Sequence, residues 1–71
     1  MQRDYSNLLA AIILHYGSRA KFALAMKMSL ASLTAKLSNK SSFTQREIES
    51  ACDLLGIAYD EIPLYFFKYS V

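Results

Sequence analysis

Gly and Pro, the strongest turn formers, number only three of 71 residues: Gly17, Gly56 and Pro63. A β-sandwich or barrel must reverse direction every ~8–12 residues, and each reversal calls for such residues. This chain can reverse only rarely, at helix ends, so the expected class is all-α. Hydrophobic residues make up 54% of it, enough for a real core. Charged residues recur too often to leave an apolar run of the ~20 residues that a membrane span needs.

The apolar spacing divides the chain into five helices. Tyr5, Leu8, Leu9, Ile12, Ile13 and Tyr16 recur at i, i+3 and i+4. They define a first helix, capped by Asp4 or Ser6 and stopped at Gly17. Ser18 caps a second helix over Arg19–Met26, and Ser29 a third over Leu30–Leu37, which buries Leu33 and Leu37. Ser38–Ser42 is a polar loop. Thr44 and Glu47 have capping-box spacing for a fourth helix that ends at Leu55 before Gly56, with Ile48, Ala51, Cys52 and Leu55 on its core face. Ile57 leads to a short fifth helix, capped by Asp60 and tolerant of Pro63 in its first turn. The expected core is Leu9, Ile12, Ile13, Phe22, Ala23, Met26, Leu33, Ile48, Cys52 and Leu55. One domain over 1–71 is expected.

One cysteine excludes an internal disulfide and a cysteine-based zinc site, and one histidine excludes a histidine-rich metal site. A domain this small without such staples relies on packed helices or on a partner. With no secretory pattern, a soluble cytoplasmic protein without membrane association is expected. Asp53, Asp60 and Glu61 lack a surrounding set of convergent polar groups, and no phosphate loop or nucleophile–base pair is present. Cys52 reads as core and His15 as a surface residue at a helix end. An enzyme is not expected, nor is a cofactor.

Charge is the more informative signal. Six cations, Arg19, Lys21, Lys27, Lys36, Lys40 and Arg46, follow one another without an intervening acid, and the next five charges are Glu47, Glu49, Asp53, Asp60 and Glu61. Such asymmetry suggests an anion-facing surface backed by an acidic one. The plainer reading is two solvated faces of opposite sign.

Phe22–Leu37 has the residue types of a helix-turn-helix. Ala23 stands where the two helices touch, apolar Met26, Met28 and Leu33 follow, and Ser29 opens the second helix. The stretch YGSRAKFALAMKMSLASLTAKLSNKSSFTQREIESACDLLGI with the EIPLYFF ending resembles the lambda-repressor-like, Cro/C1-type phage regulators. It is particularly similar to the short Cro-like group of temperate phages of Gram-positive bacteria, whose members include modulators of repression. That resemblance implies a compact five-helix domain, with the helix-turn-helix at about residues 19–37, working in the lysis–lysogeny switch of a host bacterial cell. It further implies phosphate contacts by Ser18, Arg19, Lys40, Ser41, Ser42 and Gln45, and Arg46 joins them because it too lies near a helix start. Base-facing positions would be Ser29, Leu30, Ala31, Thr34 and Ala35.

Two departures bear on function. Lys27 stands where such turns usually carry Gly, a left-handed position that costs a side chain about 1 kcal/mol. The would-be reading face has no Arg, Asn or Gln, and so no bidentate contact to guanine or adenine. Leu30 could meet a thymine methyl, a protein or the core. The aromatic ending is too rich to point wholly inward, so Tyr65, Phe67 and Tyr69, with Glu49 and Asp53, are candidates for a partner or dimer surface. The leading expectation is therefore a modulator that antagonises the lysogenic repressor by binding it, with DNA contact in the assembly. The alternative is a Cro-like repressor that binds operator DNA directly as a homodimer.

Overall fold

A computed structural model describes residues 2–70. Five α-helices follow in order: α1 (Ser6–Tyr16), α2 (Arg19–Ala25), α3 (Leu30–Leu37), α4 (Gln45–Leu55) and α5 (Ile62–Phe66), with a 3-10 turn at Tyr59–Glu61 before α5. No strand is present among the described residues, where the sole β feature is an isolated antiparallel bridge, Arg3 to Tyr69. The all-α expectation holds. No single described helix is long and apolar enough to cross a membrane.

The helix starts follow the sequence signals. Ser18 Oγ accepts from the Lys21 N–H at 3.2 Å and Ser29 Oγ from the Ser32 N–H at 3.0 Å. Thr44 and Glu47 form the reciprocal capping box. Asp4, rather than Ser6, acts at the start of α1, where its carboxylate accepts the Ser6 N–H at 2.9 Å. Asp60 does not cap the last helix. The Glu61 carboxylate reaches back to the Ala58 N–H at 3.1 Å, because the chain enters α5 through a 3-10 turn.

Three helix ends share one device, a left-handed residue followed by an N–H that reaches five residues back. Met28 N–H bonds the Ala23 carbonyl, Lys40 N–H that of Ala35 and Ile57 N–H that of Cys52. The left-handed residues are Lys27 (φ 60°), Asn39 (φ 67°) and Gly56 (φ 68°). Lys27 thus takes the strained conformation expected of it.

Leu8, Ile12, Phe22, Ala23, Leu33, Ala51, Cys52, Leu55, Ile57 and Phe66 form the core, around which α1 packs against α2, α4 and α5. Two expected core residues are outside it: Leu9 is 36% and Ile13 47% exposed. Successive helical residues diverge by about 100°, so the core takes the Leu8–Ile12 column and turns the neighbouring column outward. Met26, Leu37 and Ile48 are half-buried at the core's margin. Phe66 is buried, its ring edge-on to Phe43 at 5.3 Å.

Among the described residues Lys36 is the one buried charged residue, 8% exposed. Its ammonium donates to the Ser42 carbonyl at 3.0 Å and pairs with the Glu47 carboxylate at 3.2 Å. Glu47 also accepts the Thr44 N–H at 2.9 Å. Burial pushes the Glu47 carboxyl up, but the Thr44 amide, the Lys36 ammonium and the Thr44 hydroxyl together hold it below its ordinary value. A depressed carboxyl stabilises the fold above its unfolded pKa, and that contribution is lost as pH falls through the folded pKa.

A second polar knot joins the chain ends. The Asn39 side chain accepts the Arg3 N–H at 2.8 Å and donates to the Arg3 carbonyl at 3.0 Å. Arg3 in turn lies over the rings of Phe67 and Tyr69, 4.6 and 4.9 Å from their centroids. Asp4 pairs with Lys68 at 3.7 Å, and Ser70 N–H bonds the Gln2 carbonyl at 3.0 Å.

Two outcomes are expected. Glu47→Gln will destabilise the fold at neutral pH by about 1–3 kcal/mol, since Lys36 keeps a buried charge with fewer partners. Its deficit will shrink as pH falls through the lowered folded pKa of Glu47, where the wild-type carboxyl is itself protonated, and the double variant with Lys36→Met will regain much of the loss. Chemical denaturation from pH 7 to 3 checks both. Asn39→Gly, which keeps the backbone freedom but removes both bonds to Arg3, will cost about 1–2 kcal/mol, read as a lower denaturation midpoint. A midpoint equal to the parent's would mean that the clasp of the chain ends contributes nothing.

Candidate functional site

Arg19 and Arg46 stand in the first turns of α2 and α4, and Lys40 follows the end of α3. Ser18 and Arg19 open α2, Ser29 opens α3, and Gln45 and Arg46 open α4. Arg19, Lys21, Lys40, Ser41, Ser42, Gln45 and Arg46 are exposed, and Ser18 is half-buried. N–H groups at a helix start and nearby cations both attract anions. Arg19 and Thr34 line one shallow cleft with Tyr5, Leu9, Leu37 and Ser38, so α2 and α3 bring a candidate phosphate contact beside a candidate base contact. Ser41 and Ser42 instead line a cavity of about 230 Å³ with Arg3, Asn39, Phe67 and Tyr69. The Gln45 amide is directed to the Glu49 carboxylate at 3.4 Å.

On α3, Ser29, Leu30, Ala31 and Thr34 are exposed and Ala35 is half-buried. Leu30 is 46% exposed, which leaves much of its side chain for a partner. The outward face of α3 is small, apolar and hydroxylic. Lys36, its one charge, is spent inside on Glu47 and Ser42.

The candidate partner surface divides into separate places. Tyr65 is half-buried and lines a groove between α1 and α5 with Ala10, Ala11, Leu14, Ile57 and Leu64. Phe67 and Tyr69 are 44% and 47% exposed and lie under the Arg3 guanidinium. Glu49 and Phe67 share a groove of about 510 Å³ between α4 and the C-terminal segment, with Phe43, Gln45, Ile48, Tyr59 and Ile62. Asp53 lies one turn further along α4, beside Lys27 and Met26 of the α2–α3 turn.

Several contributors escape sequence reasoning. Tyr59, 67% exposed, is a wall of the α4 groove, and Arg3 with Asn39 fixes the Phe67 side. Asn39 did carry a signal, because an Asn just beyond a helix is the commonest substitute for a left-handed Gly. For Arg3 there was none, since its partners lie 36 or more residues away.

No group of His, Cys, Asp and Glu among the described residues could hold a metal ion. Burial, then the Asp53 and Glu49 charges, push the Cys52 thiol up, which leaves it a neutral, unreactive core group. What the surface offers is exposed cations, Arg19 and Arg46 in first helical turns among them, and an apolar groove lined by Glu49.

No curated protein matches the sequence. Among solved structures, the chain is similar to the solution structure of the modulator of repression of the temperate bacteriophage TP901-1 from Lactococcus lactis. The two are 36% identical, with 99% of this chain and 97% of that one covered and a TM-score of 0.83. A family model described as "protein of unknown function (DUF739)" matches residues 1–69. With nearly its whole length matched, the chain belongs to the DUF739 family.

Proposed function

We propose that this protein is a small phage regulator of the lysis–lysogeny switch that antagonises the lysogenic repressor by binding it. The observation that carries this reading is the end-to-end likeness to a phage modulator of repression, at 36% identity. The surface chemistry supports it too. Helix α3 exposes Ser29, Leu30, Ala31 and Thr34, none of which makes the bidentate contacts that discriminate guanine or adenine. In this reading the α2–α3 pair, about residues 19–37, is a helix-turn-helix of Cro/C1 type kept as a scaffold. The protein works in the host cytoplasm and performs no catalysis.

A second reading, direct operator binding as a Cro-like dimer, is favoured by the exposed cations Arg19 and Arg46 at helix starts and Lys40 in the α3–α4 loop. In the first reading these cations add DNA contact within the assembly.

Operator release separates the two. On DNA that bears only repressor sites, with the repressor of the same phage bound, titration with this protein will free the DNA and yield a repressor complex in solution. Repressor that stays bound, with no complex formed, would overturn the antirepressor reading. DNA binding by the protein alone will be weak and salt-dominated. Arg19→Ala, Lys40→Ala and Arg46→Ala will each weaken it about equally on all sequences and lower the salt slope by about one counterion. Tight, base-specific binding in the range of dedicated repressors would favour the second reading.

A further inference from the structure

Three exposed surfaces could take a partner, and charge separates them. The α2–α3 face carries Arg19 and Lys21 beside Leu30 and Ala31, all exposed. The groove between α1 and α5 is lined by Ala10, Ala11, Leu14, Ile57, Leu64 and Tyr65, with His15 as its nearest ionisable group besides the tyrosine, and nothing there selects one occupant over another. The groove between α4 and the C-terminal segment is different. Phe43, Ile48 and Ile62 give it apolar lining, and Tyr59 and Phe67 leave large aromatic surface exposed within it.

Its borders are acidic. Glu49 lines it. The 3-10 turn that supplies Tyr59 also carries Asp60 and Glu61. All three carboxylates are exposed. Among the described residues the salt bridges are Lys36–Glu47 and Lys68–Asp4, so none of these three is neutralised by a cation. From Glu47 to Glu61 the sequence has no Lys or Arg. Unpaired anions around desolvatable aromatics fit a cationic, amphipathic partner segment.

A repressor must present cations wherever it grips operator phosphates. That basic face would meet like charge on α2–α3, which is costly, and opposite charge along α4. We infer that the lysogenic repressor docks in the α4–C-terminal groove, and that the groove takes a basic, amphipathic helix from the repressor's operator-binding face. Such a helix would place its i, i+3/i+4 and i+7 apolar side chains against Phe43, Ile48, Ile62, Tyr59 and Phe67 while its cations meet Glu49, Asp60 and Glu61. The inference rests on the antirepressor reading and assigns it a site.

The walls are pre-set. Arg3 lies 4.6 Å from the Phe67 ring centroid and is itself tied at both backbone atoms by Asn39. A wall ordered before binding lowers the entropic cost of association. Arg3 is thus a positioning residue for the groove.

The test measures association and dissociation between this protein and the operator-binding domain of the repressor from the same phage, at low and physiological salt. Circular dichroism melts confirm that each variant folds. Tyr59→Ala will speed dissociation by about tenfold or more, as a central aromatic contact does. Glu49→Lys with Asp60→Lys will slow association severalfold at low salt and less at high salt. Leu30→Ala and Leu14→Ala will change neither rate by more than about twofold. If Leu30→Ala or Leu14→Ala carries the loss while Tyr59→Ala does not, the groove is the wrong site and the antirepressor reading stands. If the wild-type protein forms no complex at all, that reading fails and the site falls with it. Sedimentation of the protein alone covers the remaining occupant: self-association abolished by Tyr59→Ala would assign the groove to a second copy and overturn the inference.

Discussion

The amide of Asn39 holds the far end of this molecule in place. It sits at a left-handed turn after α3, where its own backbone ends the helix and its side chain bonds both backbone groups of Arg3. Through Arg3 it fixes Phe67 and Tyr69, and through the neighbouring Asp4–Lys68 pair it aligns the two end segments. A hydrophobic core of ten buried residues organises α1–α4. It does not by itself place the residues beyond Phe66. The polar knot does that, and the α4 groove takes one wall from it.

Lys36 has a parallel role at the other end of the same loop. Its ammonium is taken from water, and the fold compensates with the Ser42 carbonyl and the Glu47 carboxylate, the latter already held by the α4 cap. A buried charge is tolerable only when its partners are in place, so this arrangement favours one geometry for the α3–α4 loop over its alternatives. The loop is thereby tied at Lys36, Asn39, Ser42 and Thr44, an unusual density of fixed points for a polar connection.

The local elements could be read from the sequence because their causes are local. Caps at Ser18, Ser29 and Thr44, stops at Gly17 and Gly56, and the strained Lys27 all act within a turn of their own position. The first helix shows where that reading failed. With no charge between Ser6 and Leu14 to mark its outer face, Leu8–Ile12 and Leu9–Ile13 were equivalent columns in sequence, and only the packing of α2, α4 and α5 chose between them. The candidate surfaces were legible by charge and not by shape. The acidic block was plain, whereas its apposition to Tyr59, Ile62 and Phe67 depends on how the chain turns back after α4. Tyr65 was grouped with Phe67 by sequence proximity, yet Tyr65 on α5 and Phe67 just past its end line different grooves.

The clasp of the ends has a kinetic side. Its contacts join residues from 36 to 68 positions apart, so closing them comes after the locally contacting helices have formed. Contacts of this kind, few and only partly buried, open more readily than the core does. Wherever the clasp opens, Phe67 loses the Arg3 contact that positions it. Apparent affinity at the groove scales with the closed fraction, and whatever binds there shifts the population toward closure. Substitutions at Gln2, Arg3 or Ser70, which need touch no partner, would set the strength of binding by setting that fraction.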